Sequence, residues 1–192
     1  MLLREMTAKP IYFSKFLVTG QVFYKSKYSY ALVNLRPIVP GHVLVVPLRT
    51  TAYELNDLTL EESQDYFRTV QLIHGFIKWH YKADSLNISI QDGPEAGQSV
   101  PHLHTHIIPR YRLNNCGDLI YEKIDDWTFD EIWEKKRMEY LGLGGRNQRK
   151  QAMKPDDQRV NQTKQAMFEE SKELRLAFET YLEENPKWKA WL

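Results

Sequence analysis

From residue 29 to residue 110 the apolar positions switch between a period of two and a helical period. Ser29-Tyr-Ala-Leu-Val-Asn-Leu35 is rich in strand-forming residues and predicts a strand. Pro40-Gly41 reads as a turn, because Pro presets φ at the first turn position and Gly accepts a positive φ at the second. Val43-Leu-Val-Val46 is a second strand, and the intervening turn predicts antiparallel pairing with the first. Thr59 with Glu62 three positions on forms a capping box that opens a helix. Tyr66, Val70, Ile73 and Ile77 then mark one face of that helix, which runs to about His80. Leu86-Asn-Ile-Ser-Ile90 alternates again, and a further strand runs through His102-Leu-His-Thr-His-Ile-Ile108 until Pro109 stops it. The order strand, strand, helix, strand, strand predicts an α+β meander rather than a doubly wound sheet.

Beyond Leu113 the periodicity weakens. Arg146 to Pro155 is polar and basic and reads as a flexible linker, so the chain divides into a main domain over 10–145, a linker over 146–156 and a C-terminal helix and tail over 157–192. Phe168, Leu174, Phe178, Tyr181 and Leu182 lie near one stripe of the helix, expected over 157–184. With Trp188, Trp191 and Leu192 they would leave bulky apolar groups exposed, which predicts packing on the body or on a partner subunit.

Composition narrows the class. A net charge of +1, with both signs interspersed, gives no general pull toward nucleic acid or a membrane, and neither is expected as a partner. The longest apolar stretch, beginning at Val43, falls far short of the roughly 20 residues that span a bilayer. The N-terminus has no apolar run of signal-peptide length. Cys116 is the only cysteine, which excludes an intramolecular disulfide and fits a reducing compartment such as cytosol or nucleus. Its thiol has no activating neighbour in sequence and is read as a bystander.

The chemistry concentrates in one pentapeptide. Half of the six histidines are His102, His104 and His106, and on a strand their spacing of two places all three imidazoles on one face, in steps of about 6–7 Å. Such a row spans a phosphate and its leaving oxygen, with the central ring best placed for in-line attack. Neutral imidazole is a nucleophile near pH 7, and a neighbouring ring can donate a proton to the departing oxygen. His42, just after Pro40-Gly41, is a candidate for holding a tautomer. The preceding loop, Gln91-Asp-Gly-Pro-Glu-Ala-Gly-Gln-Ser-Val100, is glycine-rich and carries neutral donors, as an anion-handling loop requires. Three histidines on one face could instead ligate zinc, which would want a further ligand from elsewhere in the fold. His74 and His80 fall on the helix and read as structural or surface residues.

Residues 32–49 (Leu-Val-Asn-Leu-Arg-Pro-Ile-Val-Pro-Gly-His-Val-Leu-Val-Val-Pro-Leu-Arg), the loop 91–100 and His102 to Arg110 together resemble the fragile histidine triad (Fhit) branch of the histidine triad superfamily. The resemblance covers about Tyr12 to Tyr121, and the Gln-Asp-Gly-Pro-Glu-Ala-Gly-Gln loop is what marks the branch. It implies an antiparallel five-stranded sheet with one main helix packed on it, and hydrolysis of diadenosine triphosphate to AMP and ADP in a homodimer, assisted by Mg²⁺ or Mn²⁺ carried with the substrate. Carried over by motif, His104 is the nucleophile, His106 contacts the scissile bridge, and His102 and His42 belong to the same network. Asn34 matches a ribose-binding position and Gln91 a phosphate-contacting one. Gly97, Gln98, Ser99 and Val100 match the phosphate-binding segment. Phe13 matches a base-stacking aromatic, and Tyr121 matches a tyrosine that reaches the far side of the substrate. Related branches differ: nucleotidyltransferases and phosphorylases carry Gln where this chain has His106, and adenosine phosphoramidases lack the branch loop. A reading of another class is a dinucleotide-binding signalling protein with slow turnover.

Overall fold

The computed structural model describes residues 9–111 and 161–191. In chain order these form β1 (Tyr12–Phe13), β2 (Phe16–Leu17), β3 (Val22–Lys25), β4 (Ser29–Val33), β5 (Val43–Pro47), α1 (Leu60–His80), β6 (Ser85–Ile90), β7 (Thr105–Arg110) and α2 (Lys164–Glu184). The first two strands make a small hairpin. The other five form an antiparallel sheet in the order β3-β4-β5-β7-β6.

The α+β reading and the five-stranded sheet stand; the simple meander does not. After α1 crosses the sheet the chain enters at the outside as β6, then turns back so that β7 pairs with both β6 and β5. The capping box at Thr59 is present with both of its bonds, and Tyr66, Val70, Ile73 and Ile77 are buried as the helical spacing predicts. Pro40-Gly41 turns as expected: the His42 N–H donates to the Val39 carbonyl at 3.1 Å, with Gly41 at φ +81°. The β4–β5 connection is longer than a tight hairpin and occupies residues 34–42.

Because side chains alternate across a strand, the sheet has two buried faces of different make-up. On one, Ala31, Val33, Val43, Val45, Leu103 and Ile107 pack against Tyr66, Ile73, Phe76 and Ile77 of α1. Burying groups of that size stabilises by about 1.5–3 kcal/mol each. On the other, Tyr30, Leu32, Leu44 and Val46 meet Ile11, Phe13 and Val18 from the hairpin.

α2 packs on the body, as the bulky residues at its end predict. It begins at Lys164, capped by the Thr163 side chain. Leu174, Phe178, Tyr181 and Leu182 join the α1 core together with Trp188. Phe168 does not belong to the stripe: it is 44% exposed, and Met167 and Ser171 occupy the buried face instead. Spacing alone could not separate these neighbours, because the inward face is set by where α2 lands. It lands at Gly75, where a Cβ would overlap the Tyr181 hydroxyl. Cys116, Tyr121, the linker 146–156, the boundary at 145, Leu192 and the side chain of Trp191 lie outside the described residues.

Candidate active site

All three histidines of the run are buried, on the sheet face away from α1. Only His106 lies on β7, which corrects the expectation that one strand carries all three. The ladder stops at Thr105, opposite Val45, because the next backbone groups find other partners. The Leu103 N–H donates to the Ala52 carbonyl at 2.8 Å and the His102 N–H to the Val100 carbonyl at 2.8 Å. The alternation of sides nevertheless persists through 102–107. Leu103 and Ile107 enter the α1 core, and Thr105 bonds the Tyr66 hydroxyl at 2.7 Å, while the histidines face the hairpin. The His104 and His106 ring centroids stand 4.9 Å apart, edge to face.

The hydrogen bonds fix which nitrogen of each ring carries the proton in its neutral form. His104 Nδ1 lies 2.8 Å from the His102 carbonyl, which can only accept, so Nδ1 is protonated and Nε2 keeps its lone pair. His42 Nδ1 accepts from the Ile38 N–H at 3.2 Å, so neutral His42 is protonated at Nε2. That Nε2 lies 2.9 Å from His106 Nδ1 and donates to it, which leaves neutral His106 protonated at its own Nε2. Adjacent rings therefore present opposite functions: a lone pair on His104 and an N–H on His106. Burial holds His104 below the ordinary histidine range and so keeps it neutral, with the bond to the His102 carbonyl opposing only in part. His102 is pushed down to about 3 by burial first and then by the neighbouring His104; the carbonyls of Pro47 and Arg49 oppose the shift. Its Nδ1 accepts from the Ser14 N–H at 3.0 Å, which ties the triad to the hairpin.

Asn34, half-buried, sets its amide nitrogen 3.3 Å from His42 Nδ1 and 3.2 Å from Nε2, so the expected ribose position adjoins the relay. Phe13 reaches the site, but its ring packs on histidines: edge-on to His104 at 5.3 Å and tilted to His102 at 5.6 Å. Gln91 is buried. The expectation of free donors along 97–100 needs correction. Gly97 takes the left-handed conformation, at φ +88°. Its N–H, however, donates to the Pro94 carbonyl and that of Gln98 to the Gly93 carbonyl, because Pro94–Ala96 winds into a 3-10 turn. The Gln98 side chain donates to the Tyr53 carbonyl at 2.7 Å and so holds the loop to the body. Val100 packs in the apolar cluster with Phe13 and Leu44. Ser99 is half-buried and forms no hydrogen bond among the described residues, which leaves its hydroxyl and N–H for a ligand.

Sequence reading missed the N–H groups of Ile38 and Ser14. Any residue except proline supplies such a donor, so no residue type could have signalled them. The zinc reading gains no further ligand from the fold: among the described residues no group of three His, Cys, Asp or Glu side chains is placed to hold a metal ion.

Residues 16–113 match the HIT domain model. The chain is 58% identical to the bis(5'-adenosyl)-triphosphatase of Saccharomyces cerevisiae, over 96% of this chain and 99% of that one. It is 39% identical to the bifunctional bis(5'-adenosyl)-triphosphatase/adenylylsulfatase FHIT of Arabidopsis thaliana, over 83% of this chain and 78% of that one. The crystal structure of Plasmodium falciparum diadenosine triphosphate hydrolase shares the fold, with a TM-score of 0.62, 24% identity, and coverage of 93% of this chain and 87% of that one. With its buried triad and its Gln-Asp-Gly-Pro-Glu-Ala-Gly-Gln loop, the chain belongs to the HIT domain family and, within it, to the fragile histidine triad branch.

Proposed function

We propose that this protein hydrolyses dinucleoside polyphosphates, taking diadenosine triphosphate to AMP and ADP through an AMP-His104 intermediate. The carrying observation is the pair of adjacent rings with opposite tautomers, a lone pair at His104 Nε2 beside an N–H at His106 Nε2. The near-full-length likeness to a curated bis(5'-adenosyl)-triphosphatase supports the substrate class.

In the first half-reaction His104 Nε2 attacks the α-phosphorus. The N–P bond forms as the bridging P–O bond breaks, and His106 Nε2–H donates to the bridging oxygen that leaves with ADP. In the second, a water oxygen attacks the same phosphorus, the P–O bond forms as the P–N bond breaks and its electron pair returns to His104 Nε2, and the water's proton is released to solvent as AMP leaves. His42 holds the His106 tautomer throughout, backed by the Ile38 N–H. Asn34 binds the ribose and Phe13 lies where the attached base would meet the hairpin. Gln91, Gly97, Gln98, Ser99 and Val100 line the phosphate path, with Ser99 as its free donor and Gln98 as its brace. Magnesium or manganese, carried by the substrate's phosphates rather than by a protein site, would neutralise part of their charge. The protein works as a homodimer, with the outer edge of β6 as the pairing edge, a position at which Ile88 is 48% exposed.

Purified protein is expected to convert diadenosine triphosphate to equimolar AMP and ADP, and a rapid quench without acid to trap labelled AMP on wild type but not on His104→Asn. Wild-type turnover by the substituted protein would remove the covalent route. Adenylyl sulfate, the second substrate class in the Arabidopsis relative's name, belongs in the same assay, since it would yield the same intermediate.

A further inference from the structure

Residues 34–42 carry Asn34 at one end and His42 at the other, with the Ile38 N–H fixing the His42 tautomer from within. A loop with these tasks must be held to a fraction of an ångström, because the His42–His106 bond depends on where it puts the ring. Its own contacts do not suffice: Leu35 is exposed, and residues 36–39 are only half-buried.

Support comes from the far end of the chain. The Gln162 N–H donates to the Leu35 carbonyl at 2.9 Å, and its side-chain amide lies 3.4 Å from the Asn34 carbonyl. The same amide donates to the Glu170 carboxylate at 3.1 Å. Arg36 donates to Asn161 alongside. Glu170, on the first turns of α2, lies near enough to the Tyr81 hydroxyl that its charge, after burial, pushes that hydroxyl's pKa up. The Tyr81 ring lies flat on Gly41, so close that a Cβ there would sit 2.6 Å from it. The Glu170 carboxylate thus sits between the two ends of the loop, bonded to Gln162 at Asn34–Leu35 and beside the Tyr81 residue whose ring covers Gly41, next to His42. The C-terminal helix is anchored by Leu174, Phe178 and Tyr181 in the α1 core, so the clamp is fixed to the rigid part of the molecule.

We propose that Gln162 and Glu170 are positioning residues for the reaction at His104 and His106, acting through the Asn34–His42 loop. This rests on the hydrolase reading above. The alternative is that they only close the start of α2. A closing role predicts a lower melting temperature with unchanged chemistry in the folded fraction.

The full-length protein carrying Gln162→Ala, Glu170→Ala or Glu170→Gln separates the two. Both alanine variants are expected to lose about tenfold in kcat/KM at a melting temperature within a few degrees of wild type. The kcat share of the loss reports the His42–His106 relay and the KM share reports Asn34. Glu170→Gln keeps an acceptor oxygen and is expected to recover most of the activity. Amide exchange should quicken at residues 34–42 and not in β7, and the His42 and His106 imidazole nitrogen resonances should broaden or shift. Unchanged kcat/KM and exchange in the alanine variants, or a loss that only tracks the unfolded fraction, would overturn the proposal. Exchange and resonances need no turnover, so the clamp is judged even if wild type fails to cleave diadenosine triphosphate, which would sink the hydrolase reading instead.

Discussion

The two faces of the sheet are built from the same alternating residues and do different work. Toward α1, Leu103 and Ile107 are fully buried among aliphatic and aromatic side chains, and the polar exception, Thr105, is bonded to Tyr66. Toward the hairpin, His102, His104 and His106 are nearly as buried, at 0%, 3% and 8% exposure, yet they are polar rings, and burial keeps His102 and His104 neutral. Burial on the first face stabilises the fold. On the second it costs stability and supplies reactivity, because desolvation keeps an imidazole uncharged and its lone pair available. Substitutions on one face should therefore move melting temperature, and on the other turnover.

The largest separation is expected at His104→Asn. Turnover of diadenosine triphosphate should fall at least about 10⁴-fold, the order lost with a covalent nucleophile, while thermal unfolding stays near wild type. The mirror experiment is Leu103→Ala, one residue away in sequence and on the opposite face. It should cost about 2–5 kcal/mol in denaturant unfolding, with kcat of the folded protein little changed. A large kcat loss there would break the division between faces.

His42→Ala is expected to lower kcat about 10²-fold, at the low end for general acid–base assistance, since His106 loses the donor that fixes its tautomer. Gly75→Ala sets two magnitudes against each other. Alanine favours a helix over glycine by about 1 kcal/mol, but overlap with the Tyr181 hydroxyl costs about 1–3 kcal/mol, so net destabilisation is expected in a melting experiment. Stabilisation would mean that α2 is free to shift.

The effect that depends on conditions rather than on a substitution is the response to pH. The folded-state pKa values of His102 and His104 lie below the unfolded value near 6.5, so below that pH the unfolded chain binds more protons than the native one. Their contribution to stability is complete above pH 6.5 and is lost as pH falls, over a window that for His102 extends to about 3. A slope of up to about 1.4 kcal/mol per pH unit per group is expected. His102→Asn should flatten the fall in melting temperature between pH 6.5 and 5; an equally steep fall would show that carboxylates carry it. Activity should persist below pH 6.5 as far as His104 is concerned, because its nucleophilic form is the one that burial favours.

Much of this was legible in the chain because the signals are local. Thr59 and Glu62 cap a helix three residues apart, Gly41 and Gly97 mark positive φ, and alternation through 102–107 sorts histidines from aliphatics with no knowledge of the partner strand. Two local readings went further than locality permits. Alternation extends the strand back through His102, although the Leu103 N–H is claimed by Ala52 across the fold, and helical spacing places Phe168 on the buried stripe of a helix whose landing place no sequence spacing encodes.

Sequence by itself determined which groups are present, their order along the chain and the faces they take, since those follow from backbone periodicity and steric preference at single residues. The tertiary structure alone decided which imidazole nitrogen holds a proton. That depends on the His102 carbonyl turned toward His104 Nδ1, on the His42 ring brought to His106 over a sequence separation of 64, and on the Ser14 N–H brought to His102 over one of 88. The chemistry of His104 and His106 turns on those contacts, because a histidine becomes a nucleophile or a donor according to the nitrogen that its neighbours leave free.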